Sequence, residues 1–381
     1  MGTADAGGGG CIQGTAARRP GAQLGIRQES TGRGREVEKL SAANTAGEGT
    51  QLGFDSYSIR DWRWRDIQLI DYAVSLKLDT IQLSGLSDYE SLEAAHLAKV
   101  KNHAERVGVA IDAGIGCICP LSTGWNAKEG NPTDYLLKGL RVAKAVGAHS
   151  MRCYMGANAD RPNLERCMEA TIEALRSVRT QALDLGIRIA VENHSGDMQA
   201  REVKALIEAA GKDFVGSCLD SGNPMWVVED PLVSLETLGP YVVTTHIRDS
   251  AVFEHPRGAA AQWVALGDGS VNFHKFVEAY KKVCPHAAMQ LEIITGRPPT
   301  VLPYLEDDFW KVFPHTPAWE FARFVELAKS GHPYMGPMVI GGPGKQPPEI
   351  AAALKEQQRT DLERSLDWAK KNLGVGVRWK S

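Results

Sequence analysis

The chain lacks any apolar run near the roughly eighteen residues that a membrane-spanning helix needs, so nothing in it reads as a membrane span. It also lacks an excess of positive charge. Its 43 Lys+Arg stand against 46 Asp+Glu, a formal net charge of −3, without the basic footprint of a nucleic-acid binder. Cysteine is sparse: seven residues, odd in number and scattered. Cys117-Ile118-Cys119 is C-x-C, not the C-x-x-C of zinc and redox motifs. These thiols read as small buried hydrophobes in a reducing compartment, which points to the cytoplasm. No G-x-G-x-x-G follows the first predicted strand, where Asp55-Ser56-Tyr57-Ser58-Ile59-Arg60 stands instead. No arginine cluster or glycine-rich phosphate cradle stands out, which favours a non-phosphorylated substrate.

What is present falls into three parts. Residues 1–50 hold Gly7 to Gly10 and few large apolar residues, too little to offset the entropy of ordering, and read as a disordered tail. Arg18-Arg19 in that tail is followed by Pro20 and by no apolar segment, so it does not make an export signal. From Leu52, short apolar or β-branched runs alternate with longer amphipathic ones, the pattern of βα units around a parallel sheet. The predicted strands are 52–57, 80–84, 109–113, 149–154, 187–192, 215–219, 242–246 and 289–293. A capping-box spacing from Ser87 to Glu90 predicts a helix that runs on to Gly108. Gly108, Gly147 and Gly186 recur every 39 residues, each where a helix C-cap needs positive φ. Eight strands and eight helices over about 250 residues define a (β/α)8 TIM barrel over 51–330, with the last barrel helix near 317–329. Residues 331–381 read as a loop and a helical extension that packs on the barrel or on a partner subunit.

In such a barrel the C-terminal ends of the strands converge. Four successive ends place a polar group directly after a buried apolar run: Glu192, Asp220, His246 and Glu292. Burying such groups is costly unless they are paired or bind metal. Three carboxylates and one imidazole suit a fairly hard divalent ion, and exclude a sulfur-rich structural zinc site.

These residues resemble the xylose-isomerase-like TIM-barrel superfamily, the sugar isomerase/epimerase group that also includes endonuclease IV. The resemblance rests on Glu192-Asn193-His194, Asp220-Ser221-Gly222-Asn223, His246-Ile247-Arg248-Asp249, Gly267-Asp268-Gly269 with Val271-Asn272-Phe273, and Leu291-Glu292. In members similar to ketose 3-epimerases it implies one divalent metal on Glu192, Asp220, His246 and Glu292, with Mn²⁺ first and Mg²⁺, Co²⁺ or Zn²⁺ as alternatives. It also implies that Glu192 and Glu292 exchange protons with a sugar. Endonuclease-like members carry a histidine where Asn223 stands and an Asp-x-His where Ala261-Gln262-Trp263 stands, so a trinuclear zinc site would lack ligands.

The chemistry these residues suggest is proton removal beside a carbonyl, giving an enediolate. Return of the proton then gives isomerisation or epimerisation, and loss of a β-oxygen gives a lyase or dehydratase acting on a 3-keto sugar or glycoside. His194, Asn223, Arg248 and Arg257 are the candidate substrate-binding residues, and Trp125, Trp226 and Trp263 candidate stacking faces. A non-catalytic barrel subunit of a larger complex, and a homo-oligomer built through the C-terminal extension, are the other expectations.

Overall fold

The computed structural model describes residues 49–380. The disorder expected for 1–50 therefore falls outside the described residues, apart from Gly49 and Thr50. Strands β1 (Leu52–Asp55), β2 (Thr80–Leu83), β3 (Ala110–Cys117), β4 (Ser150–Tyr154), β5 (Arg188–Glu192), β6 (Val215–Asp220) and β7 (Val242–His246) follow one another in space as in sequence. Next come β8 (Asp249–His255), β9 (Gly258–Val264), β10 (Met289–Leu291) and β11 (Thr300–Leu302). The eight-stranded sheet runs β10-β1-β2-β3-β4-β5-β6-β7, and every neighbouring pair is parallel. It closes just past β7, where Ile247 bridges Leu291. There Ile247 N–H donates to Gln290 O at 2.8 Å and Glu292 N–H donates to Ile247 O at 3.1 Å. The barrel expected from the alternating pattern is thus the fold, and all eight barrel strands lie within the predicted ones to within a few residues.

Helices cover the outside because their apolar stripes recur at helical spacing. Helix Ala94–Val107 turns Leu97, Val100 and Ala104 inward and ends on Gly108 at φ 70°, as the sequence expected. Its start differs. The Ser87–Glu90 segment caps no helix, because Asp88 accepts from Ser56 Oγ (2.5 Å) and Glu90 N–H donates to Asp66 (2.9 Å), which makes the segment a wall of the barrel mouth. Within the barrel a polar layer ties distant strands together: Asp112 accepts from Ser150 Oγ (2.8 Å), Thr244 Oγ1 (2.9 Å) and Gln290 Nε2 (3.1 Å).

Two parts of the fold differ from expectation. The segment after β7 is an antiparallel hairpin, β8 with β9, joined by β11. Its Ala259-Ala260-Ala261 run carries little β-propensity, and ladder pairing supplies what the sequence does not. The helix Ala318–Ser330, expected as the eighth barrel helix, packs on this hairpin instead. The eighth place, against β10, goes to helix Pro348–Trp368. Its Gln358 pairs with Asp61 (2.8 Å), Asp361 accepts from Thr295 Oγ1 (2.6 Å) and Ser365 Oγ accepts from Leu266 N–H (3.0 Å). The C-terminal helix therefore belongs to the barrel of its own chain. No described helix is long and apolar enough to cross a membrane. The six described cysteines are all buried and free.

A pH-dependent feature sits at the start of helix Ala200–Ala210. Glu229 is 1% exposed, and accepts from Ala200 N–H (3.1 Å) and Ser234 Oγ. Burial raises its pKa from 4.5 to about 7. The folded state therefore holds a proton that the unfolded chain releases above about pH 4.5, so stability falls as pH rises toward 7 and then levels off. Glu229→Gln, which mimics the protonated side chain, should flatten this dependence. The gain over wild type at pH 8 relative to pH 5 should be on the order of 3 kcal/mol, read by urea denaturation at the two pH values. Parallel curves for the two proteins would refute it.

Candidate metal centre and active-site cavity

Each of the four strand-end residues follows an apolar run that anchors it in the barrel wall. Register then decides what meets: β5 pairs Glu192 with Cys218 of β6, and β6 pairs Asp220 with His246 of β7. One ligating atom from each of Glu192, Asp220, His246 and Glu292 lies within 4.8 Å of all the others, and all four side chains are buried. His246 Nδ1 stands 3.3 Å from Glu192 Oε1 and 3.5 Å from Glu292 Oε2. On the other side of the ring, Nε2 stands 3.4 Å from Asp55 Oδ2.

The donor set fits a divalent cation on two grounds. First, His246 Nδ1 is buried and makes no hydrogen bond within the protein, which is costly unless another group engages it. Second, four carboxyl groups, those of Asp55, Glu192, Asp220 and Glu292, face two guanidiniums, Arg152 and Arg248. With all four ionised and His246 neutral, as a metal ligand must be, two negative charges remain, the charge a divalent ion cancels. Burial opposes a charged His246, but Glu292, Glu192 and Asp55 together hold its pKa well above the ordinary value.

Asp55 was missed by sequence reasoning, although Leu-Gly-Phe-Asp carries the same apolar-then-acid signal as the other strand ends. Read as the interior of a longer strand, it was passed over. Its place behind Nε2 is that of the outer carboxylate that orients a ligating imidazole. Arg152, a charge in the middle of β4, was missed too.

The two glutamates, paired in the sequence reading, have different surroundings. Glu192 is clamped by Arg152, whose Nε donates to Oε2 at 2.5 Å, and by Asn223 Nδ2, which donates to Oε1 at 3.2 Å. Burial would raise the Glu192 pKa, but Arg152 and His246 hold it well below the carboxylate range. Glu292 lines a cavity of about 740 Å³ at the barrel mouth, whereas Glu192 does not. Burial raises the Glu292 pKa to about 7, against the pull of Arg248 and His246.

The substrate candidates divide likewise. His194 lines the cavity, stacked on Tyr154 with ring centroids 3.8 Å apart. Its Nδ1 is 2.6 Å from Gly156 O, a carbonyl that can only accept, so Nδ1 carries the proton and Nε2 is left as an acceptor. Burial lowers the His194 pKa to about 4, so the ring is neutral at neutral pH. Arg248 reaches the cavity and bonds Asp220 and Glu292, with Nη2 2.5 Å from Glu292 Oε2. The expected alternative partner, Asp249, instead accepts from Gly267 N–H and Gly269 N–H, each at 3.0 Å, and so shapes the Gly267-Asp268-Gly269 turn. A Cβ on Gly269 would lie 2.1 Å from Asp249 Oδ1, which requires glycine there. Asn223 supports Glu192 and does not line the cavity. Arg257 is not brought to the site at all: it sits at the tip of the β8–β9 hairpin, exposed and paired with Glu306 (2.9 Å). Of the three tryptophans only Trp263 lines the cavity, from β9 rather than from a loop.

The sequence reading found no arginine cluster, and the fold corrects it. Six arginines line the cavity, brought from separate stretches of the chain: Arg60, Arg63, Arg65, Arg152, Arg248 and Arg297.

Residues 70–300 match the model of the xylose isomerase-like TIM barrel family, and the chain belongs to that family. It is 25% identical over 170 residues to a 3-oxo-isoapionate decarboxylase of Pectobacterium atrosepticum, covering 45% of this chain and 55% of that protein. It is 24% identical over 132 residues to the uncharacterized protein YihM of Escherichia coli, covering 35% of this chain and 39% of that one. The chain thus matches only about half the length of these curated relatives, or less. Among solved structures, a D-psicose 3-epimerase crystallised in the presence of D-fructose superposes with a TM-score of 0.53 at 17% identity, over 85% of this chain and 99% of the other. A D-psicose 3-epimerase from Clostridium cellulolyticum H10, with D-tagatose, gives 0.52 at 16% identity, over 72% and 96%. At these identities the likeness is one of fold.

Proposed function

We propose that this chain is a divalent-metal-dependent sugar isomerase or epimerase that removes the proton beside the carbonyl of an aldo or keto sugar. The observation that carries the reading is the buried Glu192–Asp220–His246–Glu292 quartet at the foot of a cavity into which Glu292 faces. A divalent ion on these four residues, Mn²⁺ by first choice, would polarise a carbonyl and the neighbouring hydroxyl and stabilise the enediolate. Glu292 takes the proton, since it alone of the quartet's two glutamates faces the cavity. Arg152 and Asn223 keep Glu192 anionic and fixed. His194 Nε2 accepts a hydrogen bond from a sugar hydroxyl, and the Trp263 ring forms part of the cavity wall. With Glu129 paired to Lys138 and Asp88 held by Ser56 and Gly85, Glu292 is the one cavity acid that belongs to the quartet, which supports isomerisation, in which one base lifts the proton and returns it to the adjacent carbon on the same face.

A second reading is a lyase acting on a 3-keto sugar or its acid. The matched decarboxylase favours it, and Glu292 in its protonated form would then supply the proton to the enolate carbon left by bond cleavage. Incubation of the Mn²⁺-loaded protein with ketoses, aldoses and 3-keto glycosides in D₂O, read by NMR, separates the readings. Isomerisation or epimerisation leaves the carbon skeleton intact, with deuterium beside the carbonyl to the extent that the proton on Glu292 exchanges with solvent, and a lyase shortens the skeleton or leaves an alkene. No turnover across the set, extended to the corresponding sugar acids and sugar phosphates, with metal bound, would remove both.

A further inference from the structure

The cavity carries more positive charge than the proposed chemistry uses. Arg152 and Arg248 are committed to Glu192, Asp220 and Glu292 at its foot. The four arginines above them are not committed to any acid: Arg60, Arg63, Arg65 and Arg297 form no salt bridge among the described residues. Arg60 donates only to a backbone carbonyl, Tyr57 O at 3.1 Å, and its guanidinium lies 4.5 Å from the centroid of the Tyr57 ring. Arg65 donates to Ser87 O. Arg297 and Arg248 share one aromatic ring, with guanidinium carbons 5.3 and 4.4 Å from the Trp263 centroid. Partial burial, with repulsion from Arg60 and Arg248, lowers the Arg297 pKa. Arg248 lines the cavity, and its buried Nη1 has no hydrogen-bond partner.

Two other acids besides Glu292 line the cavity. Glu129 is paired with Lys138 (3.5 Å), and Asp88 is held by Ser56 Oγ and by Gly85 N–H (3.3 Å). Four guanidiniums gathered at one cavity mouth repel one another, and one carboxylate does not balance them. Such a set is stabilised when an anion enters, because a guanidinium offers parallel N–H donors that match carboxylate and phosphate oxygens.

We propose that the substrate is an anionic sugar derivative, whose carboxylate or phosphate is held by Arg297 and Arg60 at the cavity mouth while its carbonyl end reaches Glu292. This deepens the preceding section and rests on its reading of the cavity as a sugar site.

Three linear polyols that differ in their end groups test it: D-gluconate, D-glucitol and D-glucitol 6-phosphate. Their dissociation constants are measured by calorimetry on the full chain, Mn²⁺-loaded and chelator-treated, for wild type and for Arg297→Gln/Arg60→Gln. At least one anionic probe should bind about tenfold or more tighter than glucitol to wild type, with and without metal. The double variant should lose that preference while its glucitol affinity and metal content stay unchanged. The tighter of the two anions then identifies carboxylate or phosphate as the group recognised. Equal binding of all three probes, a preference that survives in the double variant, or one that vanishes when metal is removed would each overturn the proposal. A wild-type protein that holds no metal yet keeps the preference would instead sink the metal-dependent reading and leave this one standing.

Discussion

Glu292→Gln should lower turnover by roughly 10²-fold or more, while Glu192→Gln should act mainly through metal affinity and stability. The two substitutions make the same chemical change at neighbouring positions, and their surroundings separate them. The amide at 292 keeps an oxygen for metal and removes the one carboxylate of the quartet's two glutamates that faces the cavity. Removing the charge at 192 strands the Arg152 guanidinium, which lies buried against it. An uncompensated buried charge costs roughly 3–5 kcal/mol. The Glu192 variant should therefore show a clearly lower melting temperature, and the Glu292 variant a nearly unchanged one. Steady-state rates, metal titration and thermal melts of the two proteins together check this. A Glu292→Gln enzyme that turns over at the wild-type rate would take Glu292 out of the mechanism. Equal losses of rate and equal melting temperatures in both variants would restore a symmetric acid/base pair.

The second large effect concerns His246. His246→Ala should reduce bound divalent metal from about one per chain to near none, by elemental analysis, and abolish turnover. The barrel should persist, because strand pairing and the apolar layers outside it hold the core rather than the metal. The imidazole is also the group that Asp55 orients. Asp55→Asn should thus weaken metal binding by roughly 10- to 100-fold while leaving all four ligands in place. Wild-type metal content in the His246 variant, or about three ions per chain in the wild type, would each dispose of the four-ligand centre.

How much of this was legible beforehand can be traced residue by residue. Glu192, Asp220, His246 and Glu292 each end an apolar run, and the barrel fold brings strand ends together, so the quartet could be named before any coordinates. Asp55 carried the same signal but was obscured by an overlong first strand. Arg257 looked close to the site because it lies eleven residues beyond His246 in the chain. The hairpin carries it outward, and Glu306, from a distant segment, takes up its charge. The arginines of the rim show the opposite case. Arg60 and Arg297 lie more than two hundred residues apart in sequence, and only closure of the barrel between β1 and β10 brings their segments side by side. Composition fared the same way, since a net charge of −3 gave no sign of a basic cavity.

Local pattern by itself determined the repeating βα order, the glycine caps at Gly108 and Gly186 and which strand-end residues form the buried quartet. Each depends on neighbours a few residues away, through hydrogen-bond geometry, positive φ or the contrast between apolar and polar residues. Only the tertiary structure decided which glutamate is clamped and which faces the cavity, which helix takes the eighth place, and that the cavity rim is cationic. Those outcomes depend on charges and packing surfaces contributed by distant segments, and in a buried site of low dielectric the nearest charge outweighs any preference encoded along the chain.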